Sequence, residues 1–176
     1  MREKKDIRIF FALWPDEELR KQLQQTAELM TVTRPGRRVP LYNLHLTLHF
    51  IGNVSFDEMA CLQHQARQLR ADGFEFAIDC RGYFKKPRVA WLGCSEIPPT
   101  VSVLQQKLGR RLQKCDYQPE KRRFNPHVTV ARKINHSPEI HEFAPLLWRV
   151  DNFVLIESRA TDNGVIYKVI ESYPLT

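Results

Sequence analysis

Apolar residues along the chain recur at two spacings, and the spacing changes at prolines, glycines and capping residues. Ile7, Ile9, Phe11 and Leu13 alternate with other positions, which predicts a strand over Ile7–Trp14, closed by Pro15. Leu19, Leu23, Ala27 and Met30 then fall at helical spacing, with Asp16, Glu17 and Glu18 in the first turn. From Leu44 to Ile51 the alternation is strict. Leu44, Leu46, Leu48 and Phe50 face one way, and His45, Thr47 and His49 face the other. Ser55 and Glu58 form a capping-box pattern ahead of Met59, Leu62, Ala66 and Leu69, so the order so far is strand, helix, strand, helix. Phe74, Phe76, Ile78 and Cys80 predict another strand, and Val89–Cys94 a further one beyond Pro87. Pro98-Pro99 precedes a helix carrying Val101, Leu104, Leu108 and Leu112. Phe124–Val130 reads as a strand, and Leu147–Ser172 as two strands turning at Asp162-Asn163-Gly164.

Composition narrows the class. The 176 residues suit one domain, or two small lobes sharing a core. With 43% hydrophobic and 27% charged residues, disordered, collagen-like and coiled-coil readings are excluded. No apolar run approaches the roughly 18 residues a membrane span needs. The charged start Met1-Arg2-Glu3-Lys4-Lys5-Asp6 lacks a secretory pattern, which predicts a cytoplasmic protein. Cys61, Cys80, Cys94 and Cys115 form no CxxC pair and are read as reduced thiols. The net charge of +7 favours a polyanionic partner: RNA, DNA or a phosphorylated small molecule.

One internal echo carries chemistry. His45-Leu46-Thr47-Leu48 and His127-Val128-Thr129-Val130 share a pattern, and each follows a basic loop: Arg34, Arg37 and Arg38 before the first, Lys121, Arg122 and Arg123 before the second. With six histidines in the chain, about 0.3 His-x-Thr pairs would arise by chance, so two in matching apolar frames form a strong signal. On a strand each histidine stands beside its threonine on the face away from the core. If the two strands face one another, two imidazoles can divide acid and base work near neutral pH, and two hydroxyls can hold phosphate oxygens between them. That suits in-line phosphodiester cleavage without a metal. Metal ligation fits poorly, because neither motif has an Asp or Glu within five positions. His64, His136 and His141 lack a paired pattern and read as surface residues.

The duplicated motif, with IRIFFAL near the start, NLHLTLHFIG at Asn43–Gly52, RVAWLG at Arg88–Gly93 and FNPHVTVAR at Phe124–Arg132, resembles the two-histidine phosphoesterases. Within them it is similar to the bacterial RNA 2′,3′-cyclic phosphodiesterases, also called 2′-5′ RNA ligases. The resemblance spans nearly the whole chain. It implies an α+β fold, bilobal, with two pseudo-symmetric antiparallel β-sheets flanked by helices around a central cleft, formed by residues 1–176 as one domain. It implies His45 as proton donor, His127 as proton acceptor, and Thr47, Thr129 and Arg132 as phosphate contacts. Strict alternation would turn Arg132 away from the site unless a bulge re-aims it. Phe11, Tyr83, Phe84 and Trp91 are candidates to stack on a terminal base, Phe11 and Trp91 foremost. His49 lies on the catalytic face by alternation, where it could perturb His45 or simply meet solvent. The implied reaction is hydrolysis of RNA 2′,3′-cyclic phosphate ends to 2′-phosphomonoesters, reversible to ATP-independent 2′-5′ ligation, by a monomer without cofactor or metal. Alternatives are an RNA-end-binding module with little catalysis, and relatives acting on 2′-5′ oligonucleotides or small nucleotide cyclic phosphates.

Overall fold

The computed structural model describes residues 7–30, 36–139, 142–162 and 164–176. Arg34 and His141 lie outside the described residues. The chain runs β1 (Ile7–Leu13), α1 (Glu17–Glu28), β2 (Arg37–Arg38), β3 (Leu46–Val54), α2 (Phe56–Arg67), β4 (Phe74–Ile78), β5 (Cys80–Phe84), β6 (Val89–Gly93), α3 (Pro99–Leu112), β7 (His127–Arg132), β8 (Leu146–Val150), β9 (Asn152–Thr161) and β10 (Gly164–Pro174). All strand pairs are antiparallel, and helices and strands are segregated as the α+β reading requires.

The helices start where their side chains satisfy free backbone N–H groups. Asp16 caps α1 by accepting from the Leu19 amide at 2.8 Å, and Ser55 with Glu58 forms the capping box of α2. Pro99 opens α3, where a missing N–H costs nothing. Their apolar stripes pack into one continuous core; Leu19, Leu23, Leu62, Val101, Leu104, Leu108 and Leu112 are all buried.

Eight strands form one sheet in the order β10-β9-β1-β3-β7-β6-β5, with β2 pairing the edge of β7, while β4 and β8 make a separate ribbon. The large sheet is two antiparallel halves. Between them β3 and β7 share one register pair, Leu46 with Val128. Those are the residues just after the two histidines. The Phe74–Cys80 alternation divides at Asp79: Phe74–Ile78 belongs to the ribbon, and Cys80 opens β5 in the large sheet. The C-terminal region holds three strands, since β8 pairs β4 before the β9–β10 hairpin begins.

The reading of four reduced thiols is corrected. Cys61 on α2 and Cys115, just past α3, form a disulfide with Cα atoms 5.9 Å apart. Their proximity follows from α2 packing on α3, which sequence spacing does not reveal. Cys80 and Cys94 remain free, and burial pushes the Cys94 thiol up to about 12. No helix among the described residues is long and apolar enough to cross a membrane.

Candidate active site

The two motifs meet where the sheet halves join. Extending the Leu46–Val128 pair by one residue each way sets His45 opposite Thr129 and Thr47 opposite His127. All four are half-buried, while Leu46, Leu48, Val128 and Val130 are buried beneath them. The structure therefore brings both echoed pairs together.

Both imidazoles are oriented alike. His45 Nδ1 lies 2.7 Å from the Asn43 carbonyl oxygen, and His127 Nδ1 lies 2.7 Å from that of Asn125. A carbonyl can only accept, so Nδ1 carries the proton and Nε2 presents its lone pair to the site. At His45 that lone pair accepts from the Thr47 hydroxyl at 3.1 Å. The echo is thus longer than four residues, since Asn-x-His-x-Thr recurs at Asn43 and Asn125. Neither asparagine was singled out from the sequence, although the repeat contained the signal. The Asn43 side chain also donates to the Val165 carbonyl at 2.8 Å, tying the approach to His45 to β10.

Matching bulges decide which neighbours reach the site. Phe11 pairs His49 while Ala12 pairs Thr47, so Leu48 is the extra residue on β3. Ala90 pairs Ala131 while Trp91 pairs Thr129, so Val130 is the extra residue on β7. Each extra residue lies three positions after its histidine, and each reverses the alternation that follows. Leu48 and His49 are both buried, and so are Val130 and Ala131. Arg132 emerges exposed, and its positive charge depresses the pKa of both His45 and His127. The bulge therefore moves Arg132 to the face of the sheet that carries the histidines.

The same device corrects the expectation for His49. It does not share the catalytic face but points into the core, 3% exposed. There Nε2 donates to the Gln105 carbonyl of α3 at 2.7 Å, and Nδ1 accepts from the Tyr117 hydroxyl at 3.2 Å. Its tautomer is the reverse of the other two, and both ring nitrogens are already engaged.

Phe11 is also corrected. Its ring is fully buried against Phe153 and Tyr173 and has no face for a base. The neighbouring Phe10 lies on the opposite face of β1, with its ring centroid 4.9 Å from that of His45. Tyr167 at 5.1 Å and Trp14 at 6.1 Å complete an aromatic collar on that ring. At His127 the corresponding collar is Phe84 at 5.1 Å and Trp91 at 6.1 Å, so Trp91 does reach the site. Trp91 lies across Gly82, where any Cβ would sit 2.1 Å from the indole. Tyr83 instead donates to the Ile134 carbonyl at 2.9 Å.

Two arginines near the site are instead engaged with main-chain carbonyls. Arg38 donates to the Ala27, Glu28 and Met30 carbonyls at the end of α1, and Arg88 to those of Lys133 and Ile134. These serve the fold. His64 and His136 are exposed, as read from the sequence.

Electrostatically the protein itself favours neutral imidazoles. Burial pushes His45 down to about 4, against the Asn43 hydrogen bond, and Arg132 and His127 add to the depression. His127 is lowered for the same leading reason, helped by Arg132. Two neutral imidazoles, two hydroxyls and a guanidinium on one face of the sheet carry one positive charge in excess, suited to a phosphate monoanion.

Comparison with known proteins agrees. Residues 15–162 match the model of the 2′-5′ RNA ligase superfamily. The chain is 32% identical over 177 residues to the RNA 2′,3′-cyclic phosphodiesterase of Thermotoga maritima, covering 93% of each. It is 32% identical to that of Escherichia coli over 76% of each chain. The crystal structure of E. coli LigT complexed with 3′-AMP superposes with a TM-score of 0.86 at 28% identity, covering 98% of this chain and 99% of that one. With paired histidines, paired threonines and a shared fold in hand, the chain belongs to the 2′-5′ RNA ligase superfamily.

Proposed function

We propose that this protein hydrolyses the 2′,3′-cyclic phosphate ends of RNA to 2′-phosphomonoesters, using two histidines and no metal. The observation that carries the reading is the paired geometry at the β3–β7 junction: two imidazoles with Nδ1 committed to main-chain carbonyls, each with its Nε2 lone pair turned toward the site for proton transfer, that of His45 beside the Thr47 hydroxyl. The curated relatives named RNA 2′,3′-cyclic phosphodiesterase supply the substrate class.

The cyclic phosphate sits between the rings, its non-bridging oxygens held by the hydroxyls of Thr47 and Thr129 and by Arg132. Its negative charge offsets the Arg132 cation and raises both imidazole pKa values, so that one ring becomes protonated. His127 Nε2 takes a proton from water, and the oxygen attacks phosphorus. The bond from phosphorus to the 3′-oxygen breaks in line, and His45 Nε2 gives that oxygen a proton. Trp91 flanks the His127 side of the site.

Substituting His45→Ala or His127→Ala should lower turnover of a cyclic-phosphate substrate by about 10²- to 10⁴-fold. The product end should be a 2′-phosphate, and EDTA should leave the rate unchanged. Near-normal turnover in either variant, or restoration of a chelated enzyme by zinc or manganese, refutes the mechanism.

A further inference from the structure

The two sides of the phosphate position are unlike. Beyond His45 the ring is closed in by Phe10, Trp14 and Tyr167. Beyond His127 a groove of about 1060 Å³ opens, at the upper end of the range for small-ligand sites. It leads past Phe84 to Phe50, Phe124, Lys86 and Arg123. Lys86 and Arg123 have no ion-pair partner among the described residues. Arg122, by contrast, is held by Glu120 at 2.8 Å, which leaves Glu96 as the other carboxylate of the wall.

Phe50 is the informative residue. It follows His45 by five positions, as Arg132 follows His127, and both stand just past a bulge. Where the second half presents a guanidinium to the phosphate, the first presents a ring that is 44% exposed and lines the groove. The Arg8 guanidinium lies 5.0 Å from its centroid. Exposed aromatic faces interleaved with cations suit single-stranded nucleic acid, bases on the rings and phosphates on the cations.

We propose that this groove holds a second RNA strand, whose 5′-hydroxyl takes the place of water. The inference rests on the cyclic-phosphate reading and on His127 as base, because the nucleophile then enters from the groove side. The 5′-oxygen attacks phosphorus while His127 takes its proton. The bond to the 3′-oxygen breaks, and that oxygen receives the proton of His45. The product is a 2′–5′ phosphodiester, and the reverse path cleaves one. Ligation is implied by the family resemblance; the place of the incoming strand is not.

Phe50→Ala and the double variant Lys86→Ala/Arg123→Ala test it, since all three side chains are exposed and outside the core. Three substrates are compared: a mononucleotide 2′,3′-cyclic phosphate, an oligonucleotide extended 5′ of the same end, and a 2′–5′-linked oligonucleotide. Both hydrolysis rates should stay within about twofold of wild type, while cleavage of the 2′–5′ linkage falls about tenfold or more in kcat/KM, mainly through KM. For the double variant, the salt dependence of that cleavage should lose about one to two phosphate contacts. The proposal is overturned if the 2′–5′ substrate is unaffected or never cleaved, if the 5′-extended cyclic substrate falls as far, or if all three fall together. A wild-type protein inert on the cyclic mononucleotide would refute the proposed reaction itself, whatever the ranking of variants.

Discussion

At His45 and His127 the ring is steered by a main-chain carbonyl two residues upstream, with no carboxylate involved. A carboxylate partner would stabilise the imidazolium strongly; a carbonyl does so weakly, and burial overrides it. The pH dependence follows with a definite sign. Because both free-enzyme pKa values lie below 6.5, the bell-shaped profile of kcat/KM should be centred on the acid side of that value. Bound phosphate raises both, so the kcat profile should be displaced toward alkaline pH relative to it. Arg132 depresses both histidines. Arg132→Ala should therefore raise KM and also move the kcat/KM bell to higher pH. A variant that loses affinity without moving the bell would show that the guanidinium does not face the imidazoles.

Among the elements, the helices and most strands were legible because a face that is buried alone shows itself as spacing. The motif strands were legible twice over, because the repeat points at His45, Thr47, His127 and Thr129 together. The bulges were not. Leu48 and Val130 look like ordinary members of an alternating run, and only pairing against β1 and β6 shows that each is supernumerary. Everything downstream of a bulge is then misassigned by alternation, which is why the pattern sets His49 on the catalytic face and turns Arg132 away from it. Phe11 was misread for another reason: a strand covered on both faces does not announce which aromatic meets the site and which the core. His49 now belongs to the packing of β3 on α3, and Gly109 is the residue that makes room for it. A Cβ at Gly109 would lie 2.9 Å from His49 Cε1. Gly109→Ala should cost about 1–3 kcal/mol in urea unfolding, even though alanine favours helix. No loss would mean that the imidazole can withdraw.

For the whole molecule, three half-buried or buried histidines make stability depend on pH. His45, His49 and His127 all have folded pKa values below the 6.5 of an unfolded chain. Below that pH the unfolded chain binds more protons than the folded one, so stability is full above about 6.5 and falls as the pH drops. For His45 the loss continues to about 4. The melting temperature should thus decline between pH 6.5 and 5, before most carboxylates titrate, and less steeply in His45→Gln. Reduction of the Cys61–Cys115 link, which spans 54 positions, should cost about 4 kcal/mol in the chain-entropy view. The disulfide was not readable from the sequence, because it depends on which helix packs on which.

The lone register pair between the halves has a consequence for how this fold tolerates change. Because Leu46 and Val128 adjoin the two histidines, the spacing of the two imidazoles is gauged at one rung rather than summed over the lobes. Insertions between α2 and β4 leave that rung alone and should be neutral for catalysis. A single residue added between His45 and Leu46 would shift one imidazole off the axis of the reaction while both lobes stayed folded. Change is thus tolerated at the periphery and not at the seam, where one added residue separates the two imidazoles.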